Sequence, residues 1–562
     1  MLTKFAMRGA LFSALFLLAS CGGGGGGGGA APGPGPAVPA VLTVVVVTQP
    51  SGGEATTPFA TQPVVHLRTD GTTNTGNNVT VVTASIAPGT GTAGAALTGT
   101  ATATVVAGVA TFANLGVNTP GTGYQLRFSA VDYGNATSAA FTITAPPPTP
   151  GAIIPPSTPP ASQVSFAIDS TQDVRAISRF IYGMNGWDPD VRPANLTLSR
   201  SGGNRMTAYN WENNASNAGS DWFNQNDDFL GGGNTPNGAV GPGITDARTA
   251  GAGIVVTVPT IGYVAADKNG GGDVNVTPNY LAVRFHQSRP RKGSAFVMTP
   301  DTTDAFVYQD EYVNFLNQTY PGALASTTAP VFLSLDNEPD LWHSTHARLR
   351  GDAVGQNGTN VTYAEIVQRT VDYAAAAKDV NSSVQIFGPA NYGWQGFLRL
   401  QNAADHQDRD FLNFYLAQMA QAGTTAGRRL LDVLDVHWYP EARGACSTNP
   451  MDGCRVSDGG TGANESAVIA ARKQAPRSLW DPAYQETSWI LDTLPNGDKP
   501  IRLLPRLKAK IAANYPDTKL AITEYNYGGG NHISGGIAQA DVLGVFGREG
   551  LYAATLWRLI ND

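Results

Sequence analysis

Two glutamates in this chain of 562 residues stand where chemistry could be done. The first closes the run Val331-Phe332-Leu333-Ser334-Leu335-Asp336-Asn337-Glu338-Pro339. The run is apolar and strand-like, and Pro339 ends it because proline cannot donate to a sheet ladder. Asn337 and Glu338 are left at the carboxyl end of a strand, where parallel α/β barrels carry their reactive groups. A solvated turn is the plainer alternative. The second glutamate lies in Leu520-Ala521-Ile522-Thr523-Glu524-Tyr525-Asn526, followed by Gly528-Gly529-Gly530. Two carboxyl groups on two strand ends are what a retaining glycosidase requires. One protonates the leaving oxygen and later activates water; the other attacks the sugar carbon.

Strand and helix patterns alternate from residue 163 to the end, and they must do the positioning. Strand-like runs occur at 180–185, 196–200, 253–259, 331–338, 384–388, 431–439, 520–525 and 552–557. Helical patterns are clearest at 363–378, 409–422 and 504–513. Eight such alternations predict an α/β domain folded as a (β/α)8 barrel. Glu338 then sits on strand 4 and Glu524 on strand 7, nearly opposite across the barrel mouth. Asn337 could hydrogen-bond the sugar 2-hydroxyl. His437 and Tyr439 alternate on strand 6 and share a side; His437 is either a site residue or a satisfied structural histidine, and Tyr439 could orient Glu524. Trp211, Trp394 and Trp557 follow strands 2, 5 and 8. Each is a candidate sugar platform or an ordinary packing residue. Trp342 and His343 either line the cleft or do not, and Glu212 is a cleft residue or a structural anchor.

The chain closely resembles glycoside hydrolase family 44. The resemblance rests on Gly202-Gly203-Asn204, on the run from Tyr209-Asn210-Trp211-Glu212 to Asp221-Trp222, and on Asp336-Asn337-Glu338-Pro339 with Trp342-His343. It continues through Ala475-Pro476-Arg477-Ser478-Leu479-Trp480-Asp481-Pro482 and Thr523-Glu524-Tyr525-Asn526-Tyr527-Gly528, from about residue 168 to the end. It implies a retaining endo-β-1,4-glucanase, often active on xyloglucan, lichenan or xylan. It makes Glu338 the acid/base, Glu524 the nucleophile, and Arg200, on strand 2 beside Asn204, the cation next to that nucleophile. A cation there lowers a carboxylate pKa, so Glu338 should have the higher pKa of the pair. Retention also asks for carboxyl groups about 5–5.5 Å apart. No organic cofactor or catalytic metal is implied, and structural calcium is compatible. The expected partner is a β-glucan chain. A non-catalytic glycan-binding lipoprotein on the same scaffold is the rival from another class, disfavoured because both carboxylates are present; xylan or mannan are the rival substrates.

The remaining sequence concerns delivery. Charged residues make up 14% and the net charge is −7, with no basic tract, which argues against nucleic acid. Residues 1–21 read as an export signal: Lys4 and Arg8, a short apolar stretch, then Leu18-Ala19-Ser20-Cys21, which resembles a lipoprotein signal box with Cys21 lipidated. An ordinary secretory signal is the alternative. The expected location is the cell envelope, lipid-anchored and surface-exposed. Residues 22–40 form a Gly/Pro tether. Residues 41–145 show short β-rich runs between Gly, Asn and Thr turns and are similar to bacterial immunoglobulin-like repeats, a small sandwich read as a spacer. Residues 146–162 are a Pro-rich linker, and 163–562 the barrel domain. With Cys21 assigned to lipid, Cys446 and Cys454 can pair with each other in an oxidising compartment or stay free; no zinc site is completed around them. Family members usually continue beyond strand 8 into a last helix and a β-sandwich, so ending at Asp562 suggests a truncated product.

Overall fold

The computed structural model describes residues 39–145, 169, 171–172, 174–186 and 195–557. The export signal with Cys21, nearly all of the tether and the Pro-rich linker lie outside the described residues. The chain divides into two compact units, Met1–Pro159 and Pro160–Asp562.

The first unit is all-β. One sheet pairs Leu42–Thr48, Val64–Thr69, Thr72–Thr73 and Val109–Thr111. Another runs Gly134–Thr137, Leu126–Ala130, Val81–Ile86, Thr102–Thr104, and every pairing in these two sheets is antiparallel. Burial alternates strictly along Leu126–Ala130, as it does when one sheet face is wet. Val65, Leu67, Val82, Phe112, Tyr124 and Phe128 form the centre of its core.

The second unit is a closed eight-stranded parallel barrel. Its strands are β1 (Gly183–Asn185), β2 (Leu198–Ser201), β3 (Gly253–Val258), β4 (Val331–Leu335), β5 (Ile386–Asn391), β6 (Val433–Trp438), β7 (Lys519–Tyr525) and β8 (Ala553–Leu556). β8 pairs with β1 to close the ring. Every residue of β3, β4, β5 and β6 is buried, because helices cover one face and the interior fills the other. The longer helices are α1 (Gly241–Thr249), α2 (Gln309–Thr319), α3 (Tyr363–Val380), α4 (Phe411–Ala426), α5 (Ser466–Gln474), α6 (Leu503–Asn514) and α7 (Ile533–Glu549). Their starts follow local chemistry. The Thr362 side chain accepts the Glu365 N–H at the head of α3, and Asp410 accepts that of Asn413 at the head of α4.

The barrel interior is layered. Its floor is one apolar cluster, with Leu198, Val255, Phe332, Phe387, Val433, Ala521 and Ala553 from seven strands and Phe180 inserted from the turn before β1. The expected strand at 180–185 therefore begins as a short 3-10 turn, Arg179–Ile181. Above the floor lie polar groups, among them Arg200, Asp435 and Thr523, all buried. The site is built on that layer.

Candidate active site

β4 ends in a bent backbone rather than in extended chain. Asp336 and Glu338 both have positive φ, +68° and +44°, a region non-glycine residues seldom adopt. The Asp336 carboxylate holds the bend. It accepts the N–H groups of Thr260, Ile261 and Asn337 and the indole N–H of Trp342 at 3.2 Å. The Glu338 N–H donates to Ala390 O at 2.9 Å, tying the turn to β5.

β7 reaches the same place by a different device. Asp435 of β6 pairs with Ala521 and Val436 with Ile522, but His437 pairs with Glu524. One extra residue is thus accommodated in β7, a β-bulge. Thr523 and Glu524, adjacent in sequence, both reach groups inside the barrel: the Thr523 hydroxyl donates to Asp435 at 2.8 Å, and Glu524 meets Arg200 and Tyr439.

Arg200 binds the parts together. Fully buried, it donates to Glu524 Oε1 at 2.7 Å, Asn337 Oδ1 at 2.7 Å and Asn185 Oδ1 at 3.0 Å. The Tyr439 hydroxyl donates to Glu524 Oε2 at 3.0 Å. Asn337 Oδ1 also accepts the Gly203 N–H at 3.2 Å, so its oxygen is committed. Its amide N–H groups have no acceptor among the described residues and are what it can offer a ligand. His437 Nδ1 lies 2.8 Å from Glu338 Oε1, and Nε2 lies 3.4 Å from an Arg200 nitrogen. Burial drives the His437 pKa down to about 3, so the ring is neutral. Facing a guanidinium, Nε2 is the acceptor, which assigns the proton to Nδ1 and makes it a donor to Glu338.

Glu338, Glu524 and His437 each bring an atom within 4.8 Å of the others. The two carboxyls differ in setting. Burial pushes Glu338 up to about 7, against the lowering pull of Arg200. Glu524 is paired directly with Arg200. One group can hold a proton near neutrality while its neighbour is matched to a cation.

Two hollows flank this pair. One, about 660 Å³, is lined by Gly203, Asn204, Asp221, Trp222, Phe229 and Trp557. A side chain at Gly203 would meet the Trp557 ring at 2.6 Å, so glycine there lets the indole lie over the backbone. The other, about 220 Å³, includes Tyr392, Gln395, Tyr439, Glu441 and Trp489 in its wall. A larger cavity of about 710 Å³ lies at the opposite ends of the strands, beside Leu504 and Tyr552, and holds none of these groups.

Several sequence expectations are corrected here. Trp211 is 1% exposed and stacks on Tyr312 with ring centroids 5.2 Å apart; it is core, not a platform. Trp342 is fully buried and serves Asp336, so it lines no cleft. Trp394 is 6% exposed and donates to Thr493 at 2.8 Å; it lines the smaller hollow but is mostly buried. The Asn204 side chain donates to Ala218 O at 3.3 Å, so it shapes the wall of the larger hollow while bonded within the protein. Glu212 is 2% exposed and so is not a cleft residue. Sequence reasoning passed over Trp222, Phe229 and Trp489, which are 56%, 72% and 38% exposed. Trp222 lay inside a quoted motif; Trp489 had no local signal. Cys446 and Cys454 are joined in a disulfide.

The family profile Glycoside hydrolase family 44 matches residues 215–442. The family 44 endoglucanase structure from Clostridium thermocellum is 43% identical, with TM-score 0.61, over 68% of this chain and 73% of that one. The chain belongs to glycoside hydrolase family 44. A family 44 xyloglucanase from Paenibacillus polymyxa, solved with xyloglucan, is 39% identical at TM-score 0.62, over 69% of this chain and 74% of that one. Endoglucanase A of Paenibacillus lautus is 45% identical over 415 residues, which is 71% of this chain. The match spans 55% of that relative's length. Among the described residues of this family 44 chain, no helix is long and apolar enough to cross a membrane.

Proposed function

We propose that the chain is an endo-acting, retaining glycoside hydrolase that cleaves β-1,4-glucan chains, including xyloglucan. The observation that carries this reading is the pair Glu338 and Glu524, with oxygens within 4.8 Å of each other. Inverting enzymes separate their carboxyls by about 6.5–9.5 Å to admit a water between them. Hollows on both sides of the pair, each with exposed aromatic rings, suit a chain that runs past the centre, as endo-cleavage needs.

In the first step the Glu524 carboxylate attacks the anomeric carbon. The glycosidic C–O bond breaks, and its oxygen takes the Glu338 proton. Arg200 and Tyr439 hold Glu524 in line. Asn337, its oxygen fixed by Arg200, turns its N–H groups toward the sugar 2-hydroxyl. In the second step Glu338, now ionised, takes a proton from water as that water attacks the same carbon, and Glu524 leaves. Two inversions give retention. Neutral His437 keeps Glu338 oriented without adding a charge. The reaction needs no metal or organic cofactor, since the two carboxyls supply nucleophile and acid. Among the described residues the buried Glu212 Oε2 has no hydrogen-bond partner, but no group of three carboxylate, histidine or cysteine ligands is gathered around it.

The export signal and Cys21 support delivery to the cell envelope through a lipid anchor. Labelling with a fatty acid, lost in Cys21→Ala, checks that part. The activity is tested by reducing-sugar release from carboxymethyl cellulose and xyloglucan. The parent should cleave, and Glu338→Ala and Glu524→Ala should each lose most activity. A folded parent that binds glucan without cutting it would favour the glycan-binding reading, and cleavage confined to xylan or mannan would move the substrate.

A further inference from the structure

The two strands that meet at the nucleophile keep different counts. On β6 the inward side chains alternate regularly: Val433 lies in the apolar floor, Asp435 above it, and His437 beside Glu338. On β7, Ala521 lies in the floor and Thr523 bonds Asp435, so regular alternation would bring Tyr525 inward next. Tyr525 instead faces the helical shell, where its ring meets that of Phe546 on α7 at 5.2 Å and its hydroxyl accepts from Gln539 at 2.8 Å. Glu524 takes the inward place and meets Arg200. The count changes at Thr523, which has a register partner on neither β6 nor β8. Side chains answer its groups. Its hydroxyl lies 2.8 Å from both oxygens of Asp435. Its carbonyl accepts from the Thr555 hydroxyl and from Asn185 Nδ2, the latter at 2.9 Å. The oxygen of that same amide accepts from Arg200, which in turn donates to Glu524.

We propose that Asp435 is a positioning residue for the nucleophile: through the Thr523 hydroxyl it holds the bulge in β7, and the bulge aims Glu524 at the anomeric carbon. The proposal rests on the glycanase reading and deepens it. A bulge leaves backbone groups out of the ladder, and buried ones must find other partners. Asp435 grips Thr523 from one side, while Thr555 and Asn185 grip it from the other. Asp435 is fully buried, so it acts through Thr523 and not on the sugar. A slip of Thr523 would carry Glu524 with it. It would also loosen Asn185, and with it the guanidinium against which the nucleophile rests.

The test uses the full chain with two substrates, cellohexaose and dinitrophenyl β-cellotrioside, whose leaving group departs without a proton. Thr523→Val keeps the shape of the side chain and removes its hydroxyl. It should lower kcat on both substrates by about 10- to 100-fold, the cost of a misplaced reacting group, with KM nearly unchanged. Asp435→Ala should do the same. Asp435→Asn keeps the acceptor and Thr523→Ser the donor, and each should return kcat to within a few-fold of the parent. Burial holds the Asp435 acid up to about 7, so below that pH the amide changes little in charge. A Thr523→Val variant with the parent's kcat, or one that only melts lower, would overturn the proposal. A loss confined to cellohexaose would also overturn it, because the fault would then lie in proton delivery by Glu338. Failure of both conservative variants to recover kcat would deny the hydrogen bond its part. If Asp435→Ala does not fold, Thr523→Val decides alone. A parent that neither binds nor cleaves any β-glucan removes the glycanase reading, and this proposal with it; a cleaving parent matched by Thr523→Val strikes this proposal alone.

Discussion

Glu338 combines two costs in one residue. Its backbone is left-handed, with φ +44° and ψ 57°, and its carboxyl is buried enough to hold its proton up to about pH 7. Such strain persists where surrounding contacts over-determine it; here they come from Asp336 and from the bond to Ala390. In the proposed mechanism the raised pKa sets the alkaline side of activity. As pH rises through about 7 the acid loses its proton, so kcat/KM should fall with an apparent pKa near that value in a pH–rate series. The same shift has a stability consequence. A carboxyl whose pKa is raised by folding contributes fully below its ordinary value of 4.5, and that contribution is lost as pH climbs through about 7. Glu338→Asn removes the mostly enclosed acid and places a residue that tolerates a left-handed backbone. The variant should lose activity by about 10²-fold or more yet melt higher than the parent, with a gap that widens from pH 5 to pH 8 in calorimetry.

The strands were legible because each is an apolar run bounded by turn residues, and all eight fall where the runs lie. What was hidden is how two of them end. The run 331–338 reads as one continuous strand, but Asp336 turns it, since its carboxylate collects donors from the end of β3 and from Trp342. The bulge in β7 leaves no mark in composition. The helix α7 is obscured by Gly535, Gly536, Gly544 and Gly547; a Cβ at Gly535 would lie 2.3 Å from Gly529 O, so close packing against the loop after β7 explains at least that glycine. The tryptophans were ambiguous for a plain reason: an indole that stacks on Tyr312 and one that covers Gly203 look alike in a sequence. Their substitutions separate them. Trp211→Phe should lower Tm and leave KM unchanged. Trp557→Ala should raise KM several-fold or more, because the partly buried ring over Gly203 also lines the larger hollow, whereas its loss of Tm should be smaller than that of Trp211→Phe relative to its effect on KM. A thermal melt beside a saturation curve decides it.

At the scale of the whole chain, the described unit before residue 159 carries a core of its own and no group of the catalytic layer. A protein beginning at residue 160 should cut a soluble glucan with the parent's kcat, and a loss of more than a few-fold would give the first unit a larger part than that of a spacer. The barrel's stability carries another charge effect, at a carboxyl outside the catalytic pair. Burial, with Asp304 and Glu311 adding to it, raises Glu212 to about 8. The parent should lose Tm as pH rises from 5 through 8, and Glu212→Gln should lose less in thermal melts across that range.

The extra residue in β7 matters to anyone who would transplant this centre. In an idealised barrel with unbroken two-residue alternation, copying the sequence position by position would turn one of Thr523 and Glu524 toward the helical shell. Deleting one residue before Glu524 would do the same in the natural chain, without touching any group that meets substrate. The irregularity is therefore part of the blueprint: a scaffold can be regularised at most of its strands, but at this one the count of residues, and not only their kind, carries the inheritance.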